Sequence, residues 1–323
     1  MKAIEIKNLV KEFDGIKAVD DISVEIEYGE IFALLGPNGA GKTTTISILA
    51  TLLKPTSGKA KVNGYDVVKQ AAKVRHSIGI VFQDPSLDDR LTARENLEIH
   101  GRLYHMKRDE RKKRIKEVLK MVELEGRANS LVKTFSGGMR RRLEIARGLM
   151  HKPRILFLDE PTLGLDPQTR RHIWDYIEKL RREGVTVLLT THYMEEADHL
   201  ADRIAIIDKG KVVALGSPSE LKDSIGGDII KIKCNDENKM IELLSSNGFD
   251  AMMVDEEVIT KARKAEKEIP KIFMLAKEIE IKSIMYKEPS LEDVFIHYTG
   301  KAYREEGMDE KEAIKMKFRR MRR

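Results

Sequence analysis

Three clusters of residues have types and spacings that could do chemistry. The first is Gly36-Pro37-Asn38-Gly39-Ala40-Gly41-Lys42-Thr43, followed by Thr44. It fits G-x-x-x-x-G-K-[ST], the spacing of a phosphate-binding loop. Glycines let backbone N–H groups turn inward on a phosphate with no Cβ in the way. A helix starting just after the loop adds the positive end of its dipole. Lys42 would reach the β- and γ-phosphates of a nucleotide, and the Thr43 hydroxyl would ligate Mg2+. The second cluster is Asp159-Glu160, two adjacent carboxylates that end the apolar run Ile155-Leu-Phe-Leu158. Asp159 can hold Mg2+ through water, and Glu160 can polarise an attacking water. The third is Ser136-Gly137-Gly138, ahead of an amphipathic stretch with Leu143, Ile145 and Ala146. Serine is a good N-cap and the glycines permit close approach, so this is a second helix terminus suited to a phosphate. One γ-phosphate rarely needs two such termini from one chain, which points to two chains sharing each nucleotide.

The elements that must position these groups can be read from periodicity. Ile4–Ile6 and Asp21–Ile26 alternate as half-buried strands do. Ile31–Leu35, Ile155–Leu158 and Val185–Thr190 are short apolar runs, the pattern of strands buried on both faces. A helix is expected from about Lys42 and another from about Ser136. Residues 95–125 have helical character through Ile115, Val118, Leu119 and Val122, and Arg170–Arg182 through Ile173, Trp174, Ile177 and Leu180. Strands alternating with helices predict a parallel sheet in an α/β domain. The character changes after Gly216, where Ser217-Pro218 and Gly226-Gly227 punctuate the chain. Asp228–Cys234 and Ile279–Tyr286 then alternate, with Lys239–Leu244 helical between them.

A phosphate loop alone is shared with kinases and GTPases. The Ser136-Gly-Gly terminus separates them, and here the sequence resembles the ABC (ATP-binding cassette) ATPase family. The family signature LSGGQ stands here as Phe135-Ser-Gly-Gly-Met139. Gln83, after the strand Gly79–Phe82, looks like the glutamine of the Q-loop. Gly164-Leu-Asp166-Pro167 looks like the D-loop, and His192 after Leu188-Leu-Thr-Thr191 looks like the switch histidine. Phe13 sits where the family has an aromatic that stacks on adenine. The resemblance covers residues 2–220. It implies ATP and Mg2+ as cofactors, with Glu160, His192 and Gln83 catalytic and Thr43, Gln83 and Asp159 around the metal. Phe13, the loop 36–44, Ser136–Gly138 and Asp166 would bind nucleotide. It implies two copies of the cassette, head to tail, with the loop of one facing the Ser-Gly-Gly terminus of the other.

Within that family, Leu91-Thr-Ala-Arg-Glu95-Asn96-Leu97, the Phe135–Met139 signature and Glu288-Pro-Ser-Leu-Glu-Asp-Val-Phe295 resemble the daunorubicin-resistance type of exporter ATPase. The expected organisation is a P-loop NTPase ABC cassette over 1–217, an α/β parallel-sheet core with a helical subdomain at about 90–150. A small α+β domain at 218–300 follows, supporting or regulating the dimer, and then a charged tail at 301–323. Ser290 is expected to start a helix with Leu291, Phe295 and Tyr298 on one face.

Composition narrows the rest. The 323 residues suit about two domains, and 41% hydrophobic content can build cores. The net charge of +6, from 59 basic and 53 acidic residues, is too small to imply nucleic acid. It is concentrated in Lys315–Arg323, six basic groups with no acid, which would be drawn to an anionic membrane face at about 1 kcal/mol per residue. One cysteine, Cys234, permits no internal disulfide and suits a reducing cytoplasm. No signal-peptide core and no apolar run of spanning length is apparent, so a separate multi-span subunit would supply the channel. The expectation is therefore a cytoplasmic exporter motor, peripheral on the inner face of the membrane. Its rival is a soluble ABC ATPase acting on ribosomes or nucleic acid.

Overall fold

The computed structural model describes residues 2–84, 86–254, 257–262 and 264–299; the basic tail expected at 301–323 lies outside them. The described residues divide into two compact units between Pro218 and Ser219.

In the first unit, β1 (Lys2–Phe13) and β2 (Ile16–Glu27) form an antiparallel hairpin. Ile4 stands opposite Ile26, Ile6 opposite Val24 and Leu9 opposite Ile22. All six are buried, so period-2 alternation gives this ribbon one apolar face. β3 (Ile31–Leu35) is buried at every position, and the glycine loop leads from it into α1 (Lys42–Leu49). β4 (Ser57–Val62) and β5 (Tyr65–Asp66) complete an antiparallel sheet of order β2-β1-β4-β5. α2 (Ala71–Ser77) and β6 (Ile78–Val81) follow.

A helical segment comes next. α3 (Ala93–Leu103) opens with a capping box between Thr92 and Glu95. A left-handed His105 (φ 54°) separates it from α4 (Arg108–Met121), which buries Ile115, Val118 and Leu119. α5 (Gly137–Gly148) returns to the sheet. The chain then alternates through β7 (Ile155–Asp159), α6 (Pro167–Arg182), β8 (Thr186–Thr191), α7 (Met194–Leu200), β9 (Arg203–Asp208) and β10 (Lys211–Gly216). These strands make a second sheet, β10-β9-β3-β8-β7-β6, parallel except where β10 joins β9. β3, β7 and β8 are buried throughout, as a sheet covered on both faces requires. The parallel sheet is thus present, and the separate antiparallel sheet is an addition to the sequence reading. Its strands alternate, so they have only one face to bury.

The second unit runs through α8 (Pro218–Ser224), β11 (Asp228–Cys234), α9 (Glu237–Ser246), β12 (Ala251–Val254), β13 (Glu257–Ala262), α10 (Ala265–Leu275), β14 (Ile281–Lys287) and α11 (Leu291–Thr299). Its antiparallel sheet, β12-β13-β11-β14, shares a core of Ile230, Ile232, Cys234 and Val258 with Met240, Leu244 and Ile272 of the helices. Ser290 caps α11: its Oγ accepts from the Asp293 N–H (3.2 Å) while Asp293 accepts from the Ser290 N–H (2.9 Å). Leu291, Val294 and Phe295 are buried, whereas Tyr298 is 38% exposed and donates to Ser224 Oγ. α10 had no counterpart in the sequence reading, and it holds Pro270 inside it, a residue disfavoured in helix interiors.

Candidate nucleotide site

Parallel register assembles the site. Leu35 pairs with Thr191 and Asp159 with Thr190, so the ends of β3, β8 and β7 lie side by side. The glycine loop, His192 and the acid pair therefore leave the carboxyl ends of these interior strands together, where α/β proteins place ligands. The loop is a backbone cradle. Gly41 has φ 104° and serves as N-cap of α1 without a side-chain acceptor, leaving the first N–H groups of α1 to a ligand. A Cβ on Gly41 would stand 2.3 Å from the Ala18 carbonyl oxygen, and one on Gly36 2.3 Å from that of Ile207. Gly210 fastens the hairpin to the loop, accepting from the Asp20 N–H (2.8 Å) and donating to the Ala40 carbonyl (3.0 Å). Phe13, at the end of β1, is 43% exposed, with Lys11 Nζ 4.7 Å from its ring centroid. Its ring can therefore offer a face to a base, although a cation sits over it.

Lys42 is buried, donating to the carbonyls of Gly36 (2.9 Å) and Pro37 (3.1 Å) with Nζ 3.5 Å from Glu160 Oε1. Burial lowers its pKa, and the negative charge of Glu160 opposes that. Asp159 Oδ1 accepts from Thr190 Oγ1 (2.5 Å) and Thr43 Oγ1 (3.2 Å). Burial raises the Asp159 pKa above the ordinary carboxylate value; the two hydroxyls counter this and the charge of Glu160 adds to it. Glu160 behaves oppositely. Burial pushes it up, but His192 (Nδ1 3.2 Å from Oε1) and Lys42 together hold it below its ordinary value. Its backbone is left-handed, φ 46°, a conformation with no Cβ-free residue to excuse it. Its N–H donates to both the carbonyl (3.2 Å) and Oγ1 (3.0 Å) of Thr190. One threonine thus holds both acids.

Thr43 and Asp159 present oxygen donors 3.2 Å apart. No group of three His, Cys, Asp or Glu side chains suited to a metal occurs among the described residues. That combination fits Mg2+, which keeps waters and takes phosphate oxygens rather than an all-protein cage. Gln83 is exposed two residues beyond the Val81–Leu158 pair, level with Glu160 by register, and takes no part in the hydrogen bonds of the acid pair.

The Ser136 terminus is built differently. Ser136 caps α5, its Oγ accepting from the Met139 N–H (3.3 Å). Ser136 and Gly137 are exposed, while a Cβ on Gly138 would meet Thr169 Cγ2 at 2.2 Å. Phe135 is buried and Met139 half-buried, so the two departures from the signature serve packing. Asp166 caps α6 through both oxygens, accepting from Thr169 N (3.0 Å) and Thr169 Oγ1 (2.6 Å). Its carboxylate is therefore engaged within its own chain.

Three residues escaped the sequence reading. Thr190 was legible only as a polar residue ending an apolar run. Glu196 is fully buried, accepting from Thr162 Oγ1 (2.7 Å) and Trp174 Nε1 (3.1 Å), and burial raises its pKa. Arg141 of α5 is buried against the carbonyls of the acid pair.

Two families match the chain: "ABC transporter" over residues 19–163 and "ATP-binding protein DrrA1-3-like, C-terminal domain" over 216–299. Daunorubicin resistance ATP-binding protein DrrA3 of Streptomyces coeruleorubidus is 39% identical over 304 residues, covering 92% of this chain and 96% of that protein. Linearmycin resistance ATP-binding protein LnrL of Bacillus subtilis (strain 168) is 40% identical over 310 residues, 94% of this chain and all of that one. Among solved structures, a dimeric post-hydrolysis state of the ATP-binding cassette MJ0796 bound to ADP and Pi matches with TM-score 0.60 and 34% identity. It covers 66% of this chain and 98% of that one. CbiO1 of Clostridium perfringens, part of an ABC transporter complex, matches with TM-score 0.65 and 30% identity, over 69% and 92%.

Proposed function

Because this chain belongs to the ABC transporter ATP-binding family and to its daunorubicin-resistance type, we propose that it is the ATP-hydrolysing motor of an exporter. On this reading it works as a head-to-tail homodimer on the cytoplasmic face of a membrane, coupled to a separate multi-span subunit. The observation that carries the proposal is the clustering of Lys42, Glu160 and His192 at the carboxyl ends of the parallel strands. No described helix is long and apolar enough to cross a membrane.

The glycine loop and the α1 terminus hold the phosphates. Lys42 turns from the Gly36 and Pro37 carbonyls to the β- and γ-phosphates. Thr43, Asp159 and Gln83 would offer oxygen donors to Mg2+, which would supply charge neutralisation on the phosphate oxygens. Glu160, kept ionised by His192 and Lys42, accepts a proton from the attacking water. His192 fixes that carboxylate and faces the γ-phosphate. Phe13 stacks on the base, and Ser136–Gly138 of the second chain closes over the phosphate. The dimeric ADP- and Pi-bound relative supports this arrangement. The resistance proteins named above support outward transport of antibiotic-like cargo. The basic stretch Lys315–Arg323 would rest on anionic lipid.

The test is to extract the tagged protein from its own membranes in mild detergent, identify what co-purifies and assay ATPase activity on the same sample. A stoichiometric multi-span partner is expected. An active ATPase with no such partner would keep the chemistry, sink the exporter and bring forward a soluble ATPase acting on ribosomes or nucleic acid.

A further inference from the structure

We propose that Arg141 is a positioning residue that ties the helix bearing Ser136–Gly138 to the turn that holds Glu160. The proposal rests on the role given to Glu160 above.

Arg141 lies on α5, five residues after the cap, and all of its guanidinium N–H groups are used. Nε donates to the Pro161 carbonyl (2.7 Å). One terminal nitrogen donates to the Phe82 carbonyl (2.6 Å) and to Glu144 Oε2 (3.0 Å). The other donates to the carbonyls of Asp159 (2.8 Å) and Glu160 (3.0 Å). These acceptors come from three consecutive residues at the end of β7, from the residue preceding Gln83, and from α5 itself. Only a planar five-donor fork can satisfy such a set; a lysine ammonium has three donors on one atom.

The placement has a mechanical consequence. Glu160 is left-handed although it is not glycine, so its turn must be held from outside. Thr190 holds its N–H from the sheet side, and Arg141 holds the carbonyls of residues 159–161 from the α5 side. A shift of α5 must therefore be felt at the Glu160 carboxylate and at the base of the Gln83 loop. All five donors of Arg141 are spent on protein acceptors, leaving none for nucleotide or the attacking water. It acts through Glu160.

The experiment compares Arg141→Met, Arg141→Lys, Glu160→Gln and the double variant Arg141→Met/Glu160→Gln in the full chain. It measures ATP affinity, melting temperature and kcat. Arg141→Met should bind ATP within about twofold of the parent while kcat falls roughly 30-fold or more, a split expected of an interaction needed in the transition state. Arg141→Lys should bind equally well and recover only part of kcat, and it decides the matter if the Met variant does not fold. The double variant should be no slower than Glu160→Gln, because two residues acting as a unit are not additive. Parental kcat in a folded Arg141→Met or Arg141→Lys overturns the proposal, as does a double variant slowed by the product of the single losses. Parental kcat in Glu160→Gln would instead overturn the role of Glu160 on which the proposal rests.

Discussion

The two glycine-rich helix termini proposed to share a phosphate are finished in opposite ways. At α1 the terminus has no side-chain cap, and a Cβ on Gly36 or Gly41 would stand 2.3 Å from a backbone oxygen. Lys42 of α1 itself is joined there by Asp159 and Glu160 from the end of β7 and by His192 from the end of β8. At α5 a serine caps the helix and Gly137 is exposed, with only Leu165 Cδ2, at 3.5 Å, near the Cβ position of that glycine. The charged groups beside it are engaged with one another or with caps: Arg140 pairs with Asp89 (2.8 Å), and Asp166 accepts from Thr169. On the proposed reading, the first terminus would be a reaction site that lacks its lid, and the second a lid for the site of another chain. This division is what a shared nucleotide requires, and it can be broken from either side.

The largest effect is expected in the enclosed site. Glu160→Gln should retain ATP binding and lose about 10²–10⁴-fold in kcat, the usual contribution of a general base. Single-turnover assays beside equilibrium nucleotide binding check this, and a parental rate would remove Glu160 from the chemistry.

Next comes the exposed terminus. Gly137 is exposed and a Cβ there meets only Leu165 Cδ2 at an ordinary 3.5 Å, so Gly137→Asp should barely change melting. A carboxylate at a phosphate-binding terminus repels its ligand, and turnover should fall by about tenfold or more. Lys42→Ala should fail at nucleotide binding instead, by about 10–100-fold for a lost charge-assisted contact. Mixed in equal amounts, the two inactive chains should regain up to about a quarter of parental activity. Half of the dimers are then mixed, and each carries one intact site of two. A mixture no better than its parts would undo the division of labour between the termini.

A smaller contrast lies between the adjacent acids. The folded-state pKa of Asp159 is raised, so its charged form opposes folding. That cost is absent below the ordinary carboxylate value and grows as pH rises through the folded one. Glu160 is depressed, so its contribution is stabilising above the ordinary value and is lost as pH falls through the folded one. Asp159→Asn should therefore raise the melting temperature at neutral pH, with the gain shrinking toward the carboxylate range. Glu160→Gln should show no such gain. Melting curves over pH decide it, and a neutral-pH gain for both variants would mean that burial alone governs the pair.

The same contrast explains what could be read before the fold was in view. The phosphate loop was legible because its chemistry resides in backbone freedom and short spacing. β3, β7 and β8 were legible because burial on both faces writes an unbroken apolar run. The antiparallel sheet was only half legible: the segments of β1 and β2 could be read, but β4 and β5 were not, and β1 pairs with β4 across 47 to 58 positions. Arg141 was hidden for the same reason, since it reaches Phe82 across 59 positions and sits in a run of three arginines with nothing local to single it out. Glu196 reads as a surface acid in a helix beginning Met-Glu-Glu, and only packing makes it buried. Asp166 was read as a nucleotide ligand by order along the chain, and that order could not reveal where its carboxylate is engaged.

Asp166 also supplies the smallest and cleanest test, because α6 offers a third terminus for comparison. Its cap is a carboxylate whose two oxygens both serve Thr169. Removing a cap of this kind costs about 1 kcal/mol, so Asp166→Ala should lower the melting temperature by roughly 2–4 °C in a unit of this size. Asn is as good an N-cap as Asp, so Asp166→Asn should melt with the parent while lacking the charge. Parental turnover in the Asn variant would assign the residue to the α6 terminus alone. A loss of turnover at unchanged melting temperature would show that the carboxylate is needed at the shared site, and that a capped terminus can serve both chains.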